Sequence, residues 1–278
     1  MRNNTEKILF MGCGVMGEAV LSSCLQKRLY SPENIFVGET DEKKISALAR
    51  AYGVKTMTSE DAAGLKDNFR AVIAAVKPQK TESIIPPLKK IRFQLLITII
   101  AGVNCSYFTD RLGKIPVLRV MPNLCIKVSK SVNALFANEN LLSSPLANEL
   151  METAEKLFSA SGKLIRVKNE DYIDRVTAVS GSGTAYAAYF IEALEEAAAA
   201  LGFKPDEAAL MSREIFDGAI TYMRETGETP AMMRKKVTSP GGTTEKAIQV
   251  FEDKKLKEIV SEAVGTAYER AKELGRKK

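Results

Sequence analysis

The stretch KILFMGCGVMG at residues 7–17 organises the reading of this chain. Its apolar run Ile8-Leu9-Phe10-Met11 stops at a glycine turn, Gly12-Cys13-Gly14-Val15-Met16-Gly17, and the amphipathic stretch EAVLSSCLQKRL follows at once. Strand, glycine turn, helix is the order that sets a pyrophosphate on the free amides of a helix N-terminus. In that arrangement Gly12 allows the tight turn, Gly14 lets the backbone approach the phosphates, and Gly17 lets the helix lie close to the strand. The run NIFVGE at 34–39 then reads as a second strand ending in Glu39, about twenty residues past the last glycine, where a ribose-binding acid belongs. The six turn residues and Glu39 are the candidate dinucleotide-binding set. A tight βα turn followed by a surface glutamate is the plainer reading of the same residues.

Outward from this stretch, strand and helix alternate. Strands are predicted at 7–11, 34–39, 53–57, 70–76, 94–100, 116–120 and 131–137, and helices near 16–28, 41–52, 80–90 and 104–112. That rhythm predicts an α/β, doubly wound parallel sheet. Ala71 to Val76 is apolar throughout, as in a strand covered on both faces, and ends at Lys77-Pro78 on the edge where such sheets bind ligands. KLIRV at 163–167 is a last short strand, and beyond 168 the pattern is helical only, with a single final helix over about 243–274. The boundary falls between an N-terminal α/β domain, 1–167, and an all-α C-terminal domain, 168–278. The alanine-rich stretch AYAAYFIEALEEAAAALG at 185–202 has little polar surface for a solvated helix. A partner subunit or the inside of the monomer would cover it.

Composition excludes several classes. The chain has 278 residues, 45% hydrophobic and 27% charged, which is ordinary globular usage. Its net charge of +6 is spread along the chain, so it reads as a mild attraction for anionic ligands and not as a nucleic-acid surface. No apolar run is long enough to cross a bilayer, and no secretory signal is read. The cysteines Cys13, Cys24, Cys105 and Cys125 show neither a C-x-x-C pair nor a framework spacing, so the expectation is a reduced, cytoplasmic, metal-free protein. The sequence contains no histidine, which removes Ser-His-Asp hydrolysis, His-Asp dehydrogenation and His-ligated zinc.

A second constellation lies in VTSPGGTTEKAI at 237–248. Ser239-Pro240 sets an extended approach, Gly241-Gly242 gives a flexible turn, and Thr243-Thr244 opens the final helix. Free amides there would bind an anion, here a small carboxylate, with the two hydroxyls as extra partners. A capped helix after a glycine turn explains the residues equally well.

GCGVMGEA at 12–19, AVKPQ at 75–79, MPN at 121–123, AVSGSGTAY at 178–186 and TSPGGTT at 238–244 occur in an order and spacing that resemble the pyrroline-5-carboxylate reductases over essentially the full length. The resemblance implies a Rossmann-like N-terminal domain, a helical C-terminal domain that interlocks two subunits, and reduction of 1-pyrroline-5-carboxylate to L-proline with NADPH or NADH. It implies that the substrate carboxylate lies on Gly241, Gly242 and Thr243 with Ser239 nearby. Thr244 would approach the ring nitrogen as the catalytic residue, and Ala75, Val76, Lys77 and Pro78 would line the nicotinamide side. It also implies a homodimer, with dimers often gathered into a decamer, and a small-molecule substrate with no nucleic acid or membrane partner.

Three departures stand out. Thr184 replaces a usual proline, Leu124-Cys125 follow MPN where Thr-Pro is usual, and Glu39 is unusual in a family that often uses NADPH. A carboxylate there would repel a 2′-phosphate and bond a ribose hydroxyl, unless Lys43 and Lys44 reach back to offset it. The expectation is a preference for NADH, or weak discrimination. A β-hydroxyacid dehydrogenase would need a lysine on the helix after Ser180-Gly181-Ser182-Gly183, and none occurs until Lys204. A dinucleotide-binding sensor without activity is the remaining alternative, and the intact TSPGGTT argues against it.

Overall fold

The structure, a computed structural model, describes residues 5–276. Eight strands are joined mostly by helices: β1 Ile8–Met11, α1 Val15–Gln26, β2 Ile35–Glu39, α2 Glu42–Tyr52, β3 Lys55–Thr58, α3 Ser59–Ala62, β4 Asn68–Ala74, α4 Ile85–Leu88, β5 Arg92–Thr98, α5 Cys105–Leu112, β6 Val117–Met121, β7 Ser131–Ala137, α6 Glu139–Leu142, α7 Ala147–Ser159 and β8 Gly162–Arg166. They form one sheet in the order β3-β2-β1-β4-β5-β6-β7-β8. Reversal of strand order at β1 makes the sheet doubly wound and opens a crevice beyond the carboxyl ends of β1 and β4.

Alternation along β1 shows why its run is apolar throughout. Ile8 and Phe10 join a core with Val20, Leu21 and Cys24 of α1 and Leu157 and Phe158 of α7. Leu9 and Met11 point the other way, into a core with Ile85 and Leu88 of α4 and Phe108 of α5. A strand with helices on both faces has no polar side to display.

The sheet is doubly wound and parallel as expected, except at one pairing: β6 and β7 are antiparallel. Their connection, a 3₁₀ turn over Leu124–Val128 closed by Ser129 at φ +57°, is too short for the helical crossover that a parallel pair requires. The helix expected at 80–90 is a 3₁₀ turn over Pro78–Ile84 running into α4, because Pro86 and Pro87 lack the N–H groups that would bond to the preceding turn.

Past β8 the chain is helical: α8 Asp171–Val176, a π turn at Thr177–Gly181, α9 Gly183–Ala200, α10 Pro205–Thr226, α11 Pro230–Lys236, α12 Thr243–Asp253 and α13 Leu256–Arg276. The single final helix of the sequence reading is thus two helices, broken where Lys255 takes φ +55°. The chain up to Ser182, with the stretch from Ala267 on, forms one compact unit; Gly183–Thr266 forms the other. In the first, Arg119 of β6 is buried and binds Asp174 of α8 at 2.6 Å, Glu170 at 3.3 Å and Asn104, the N-cap of α5, at 2.9 Å. Tyr268 of α13 donates to Asp171 at 2.8 Å. In the second, α9 lies along α10 with an ion pair between Arg213 and Glu195, and no residue of α9 is buried.

Candidate active site

The glycine turn follows β1 at the crevice. Gly12 adopts φ +81°, and a Cβ there would come within 2.5 Å of Val76 Cγ1. Gly17 is closed by its neighbour too: a Cβ would meet that of Ala75 at 2.9 Å. The two glycines therefore let α1 and the chain after β4 approach, which draws Ala75 and Val76 to the turn, with Ala75 N–H donating to Met11 O at 2.9 Å. Gly14 differs. It is the N-cap of α1, in extended conformation, with no side chain capping the helix. A Cβ on Gly14 would meet nothing within 4 Å, so the space over it is open. An open cradle above uncapped helix amides fits a pyrophosphate.

Glu39 ends β2 beside this turn, buried. Its Oε2 accepts from Cys13 N–H at 3.0 Å and its Oε1 from Thr40 N–H at 2.8 Å. Burial pushes the carboxyl up, but the amides of Cys13 and Thr40 and the charge of Lys44 outweigh it and hold Glu39 below the ordinary carboxylate range. Cys13 is the reverse case. Burial, then the charges of Glu18 and Glu39, push its thiol up to about 12, so at neutral pH it is no thiolate nucleophile. Lys77 follows Val76 with an exposed side chain, and with Pro78 it opens the 3₁₀ turn. Gly12 to Gly17, Glu39, Ala75, Val76, Lys77 and Pro78 thus share one edge of the sheet.

Ser239, Gly241, Gly242, Thr243 and Thr244 lie in the other unit, around the N-terminus of α12. Gly241 turns at φ +72°, and Gly242 is the N-cap, its N–H donating to Ser239 O at 3.1 Å. Thr243 and Thr244 are the first two helical residues, so their amides point out of the helix end. The Gly241 N–H already holds a carboxylate: Glu245, third in the helix, reaches back to it with Oε2 at 2.9 Å. Nothing in the sequence singled out Glu245; an acid three residues past an N-cap commonly reaches back to the N-cap amide, and here it reaches one residue further, to Gly241.

MPN and AVSGSGTAY, which carry no role that sequence alone assigns, meet in the fold. Asn123 of MPN donates to Ser180 Oγ at 2.9 Å and accepts from Cys125 N–H at 3.1 Å. A Cβ on Gly181 would lie 2.8 Å from Met121 Cε. The π turn is held against the carboxyl end of β6 by these contacts, which no local pattern could have paired. Among the described residues, no cluster of acidic, cysteine or histidine side chains has the form of a metal site.

A doubly wound sheet with this glycine turn has the form of a dinucleotide-binding domain, and residues 7–102 match the family model for NADP oxidoreductase, coenzyme F420-dependent, which makes the class an oxidoreductase. Residues 170–274 match that for pyrroline-5-carboxylate reductase dimerisation. The chain is 34% identical over 269 residues to the pyrroline-5-carboxylate reductase of Synechocystis sp., covering 96% of this chain and 97% of that one. With that of Methanosarcina acetivorans it shares 34% over 275 residues, 98% and 99% of the two chains. The solved pyrroline-5-carboxylate reductase of Coxiella burnetii superposes with a TM-score of 0.85 at 34% identity, over 98% of this chain and 99% of that one. That of Plasmodium falciparum, solved with NADP bound, gives 0.84 at 25% identity with the same coverage. The chain belongs to the pyrroline-5-carboxylate reductase family.

Proposed function

We propose that the protein reduces the cyclic imine 1-pyrroline-5-carboxylate to L-proline, the last step of proline biosynthesis, with NADH or NADPH as donor. The observation that carries this reading is the Gly241 amide, which already holds a carboxylate at the mouth of α12. The substrate's carboxylate is a group of the same charge and geometry. It would exchange with Glu245 and lie on the turn of Gly241, Gly242 and Thr243, taking the amides of Gly241 and Thr243 while the Gly242 N–H stays on Ser239 O beside it.

When bound, the reduced nicotinamide supplies the hydride; the chain's residues bind and orient. Gly12, Cys13, Gly14, Val15, Met16 and Gly17 would carry the pyrophosphate and Glu39 the ribose, while Ala75, Val76, Lys77 and Pro78 line the nicotinamide side. A protonated ring nitrogen makes the imine carbon a ready acceptor, so a chain without histidine lacks nothing the step needs. Thr244 would orient that nitrogen or relay its proton through water. Lys77, exposed at a strand end, would steer the cofactor and is not a general base.

Residues 168–278 serve on this reading as the substrate-binding and dimerisation domain, and the protein is a homodimer whose dimers gather into a decamer. It works in the cytoplasm, consistent with four free cysteines. No helix among the described residues is long and apolar enough to cross a membrane. The test is oxidation of NADH and NADPH by the purified protein with and without pyrroline-5-carboxylate. Substrate-dependent oxidation with proline as product is expected; its absence with both cofactors overturns the proposal.

A further inference from the structure

The turn from β2 to α2 reads Glu39-Thr40-Asp41-Glu42-Lys43-Lys44. In many dinucleotide-binding sheets this turn meets the adenosine ribose: an acid accepts from its hydroxyls, or an arginine accommodates a 2′-phosphate. Here no arginine occurs between Gly38 and Lys44. The amides at the start of α2 are not free for a phosphate, because Asp41 caps the helix and its Oδ1 accepts from Lys43 N–H at 2.9 Å and Lys44 N–H at 3.3 Å. Lys44 lines a groove of about 210 Å³ between α1 and α2, together with Glu18, Ala47 and Tyr52, and its charge already serves Glu39.

Glu39 has a second partner that a simple ribose reader would not need. Two hydrogen bonds stitch the end of β2 to the glycine turn: Gly12 N–H to Gly38 O at 2.8 Å, and Cys13 N–H to Glu39 Oε2 at 3.0 Å. The first is backbone to backbone and survives any side-chain change. The second depends on the acid. Oε2 keeps a lone pair after its amide bond, and the second bond to Oε1 is a long one from the Thr40 hydroxyl at 3.3 Å that a ribose hydroxyl can displace, so the same group can still accept from two vicinal hydroxyls.

Resting on the reading of the glycine turn as the dinucleotide site, we propose that Glu39 does two jobs: it clamps the phosphate-binding turn through the Cys13 amide, and with Asp41 it selects NADH over NADPH. A 2′-phosphate would bring about −1.5 to −2 charges against two carboxylates that offer no donor. The clamp carries a further consequence. Exchanging Glu39 for a small hydroxyl residue, the obvious route to accept the phosphate, also releases the turn that holds the pyrophosphate, so it weakens both dinucleotides.

The test is calorimetric titration of the full chain with NAD⁺ and NADP⁺ in the absence of substrate, so it does not depend on which imine the enzyme reduces. The wild type is expected to bind NAD⁺ at least about tenfold more tightly, the scale of one charge-assisted hydrogen bond gained or lost. Glu39→Gln keeps an acceptor for the Cys13 amide and removes the charge; it should gain NADP⁺ affinity by about tenfold and lose only a few-fold for NAD⁺. Glu39→Ser should lose affinity for both. Equal or tighter binding of NADP⁺ by the wild type overturns the selection. Full NAD⁺ affinity in Glu39→Ser overturns the clamp. If the serine variant does not fold, the glutamine variant decides, since unchanged discrimination there also refutes the proposal. Binding of neither dinucleotide by the wild type removes the dinucleotide reading itself.

Discussion

Thr244 is the second residue of α12, half-buried, with its amide and its hydroxyl both at the turn that carries Gly241 and Gly242. Thr244→Val keeps shape and amide and deletes the hydroxyl alone. On the proposed reading it costs about 1–3 kcal/mol of transition-state binding, roughly ten- to a hundredfold in kcat/KM, with dinucleotide affinity unchanged. Steady-state kinetics beside a dinucleotide titration check this, and wild-type turnover would leave the turn as a backbone cradle only. Glu245 supplies the converse test, since its carboxylate occupies the Gly241 amide that the proposed reading gives to the substrate. Glu245→Ala should lower KM for the substrate by up to about fivefold, the range of one exposed ionic contact, while kcat stays put. A raised KM would mean that the glutamate shapes the turn and does not compete for it. Lys77→Met should raise the cofactor KM and leave kcat nearly unchanged. A collapse of kcat alone, measured at saturating cofactor, would make the lysine an acid or base.

At the scale of elements, β6 is tied to α8 and the π turn by buried polar groups beside the apolar Ile173 and Ala178. Arg119 has 2% of its side chain exposed and Asp174 has 12%, so their ion pair is desolvated from both sides. Such a pair adds little net stability over a hydrophobic one, but removing one partner strands the other. Asp174→Ala should therefore destabilise the sheet unit by about 3–5 kcal/mol, measured by urea unfolding. A loss below about 1 kcal/mol would show that Glu170 and Asn104 suffice to hold the guanidinium. Two strand residues past Arg119 come Met121, Pro122 and Asn123, so slack in this tie would reach the Asn123–Ser180 bond as well.

On the scale of the whole molecule, the apolar surface of the helical unit asks for a partner. Tyr189 is 71% exposed and Leu201 80%, and Leu194, Leu210 and Ile215 are exposed with them. Within its own unit no residue of the alanine-rich helix is buried. The full chain should run as a dimer or a higher multiple in light scattering, and Leu194→Glu on α9 should yield monomers without turnover. A monomeric wild type with full activity would remove this expectation. A truncation at the expected domain boundary of 167 would remove Ile173 and Ala178, which are buried in the sheet unit, and so would damage that unit too.

Much of this was legible in the amino-acid order because its causes are local. Strand after strand was marked by apolar runs, since a strand covered on both faces must be apolar at every position. Gly12 was marked by its place between strand and helix, because a backbone at φ +81° with Val76 overhead admits no side chain. Other features rest on contacts distant in sequence, which no window can contain. Strand β7 runs antiparallel because its connection is too short to cross over. Residues 171–181 look like their helical neighbours yet fold with the sheet, because Arg119 needs their carboxylates and Asn123 their serine. Glu39 was read correctly as an acid at a strand end. That its oxygens face the Cys13 and Thr40 amides was decided by the register of β2 against β1, which brings residues 13 and 39 within a hydrogen bond.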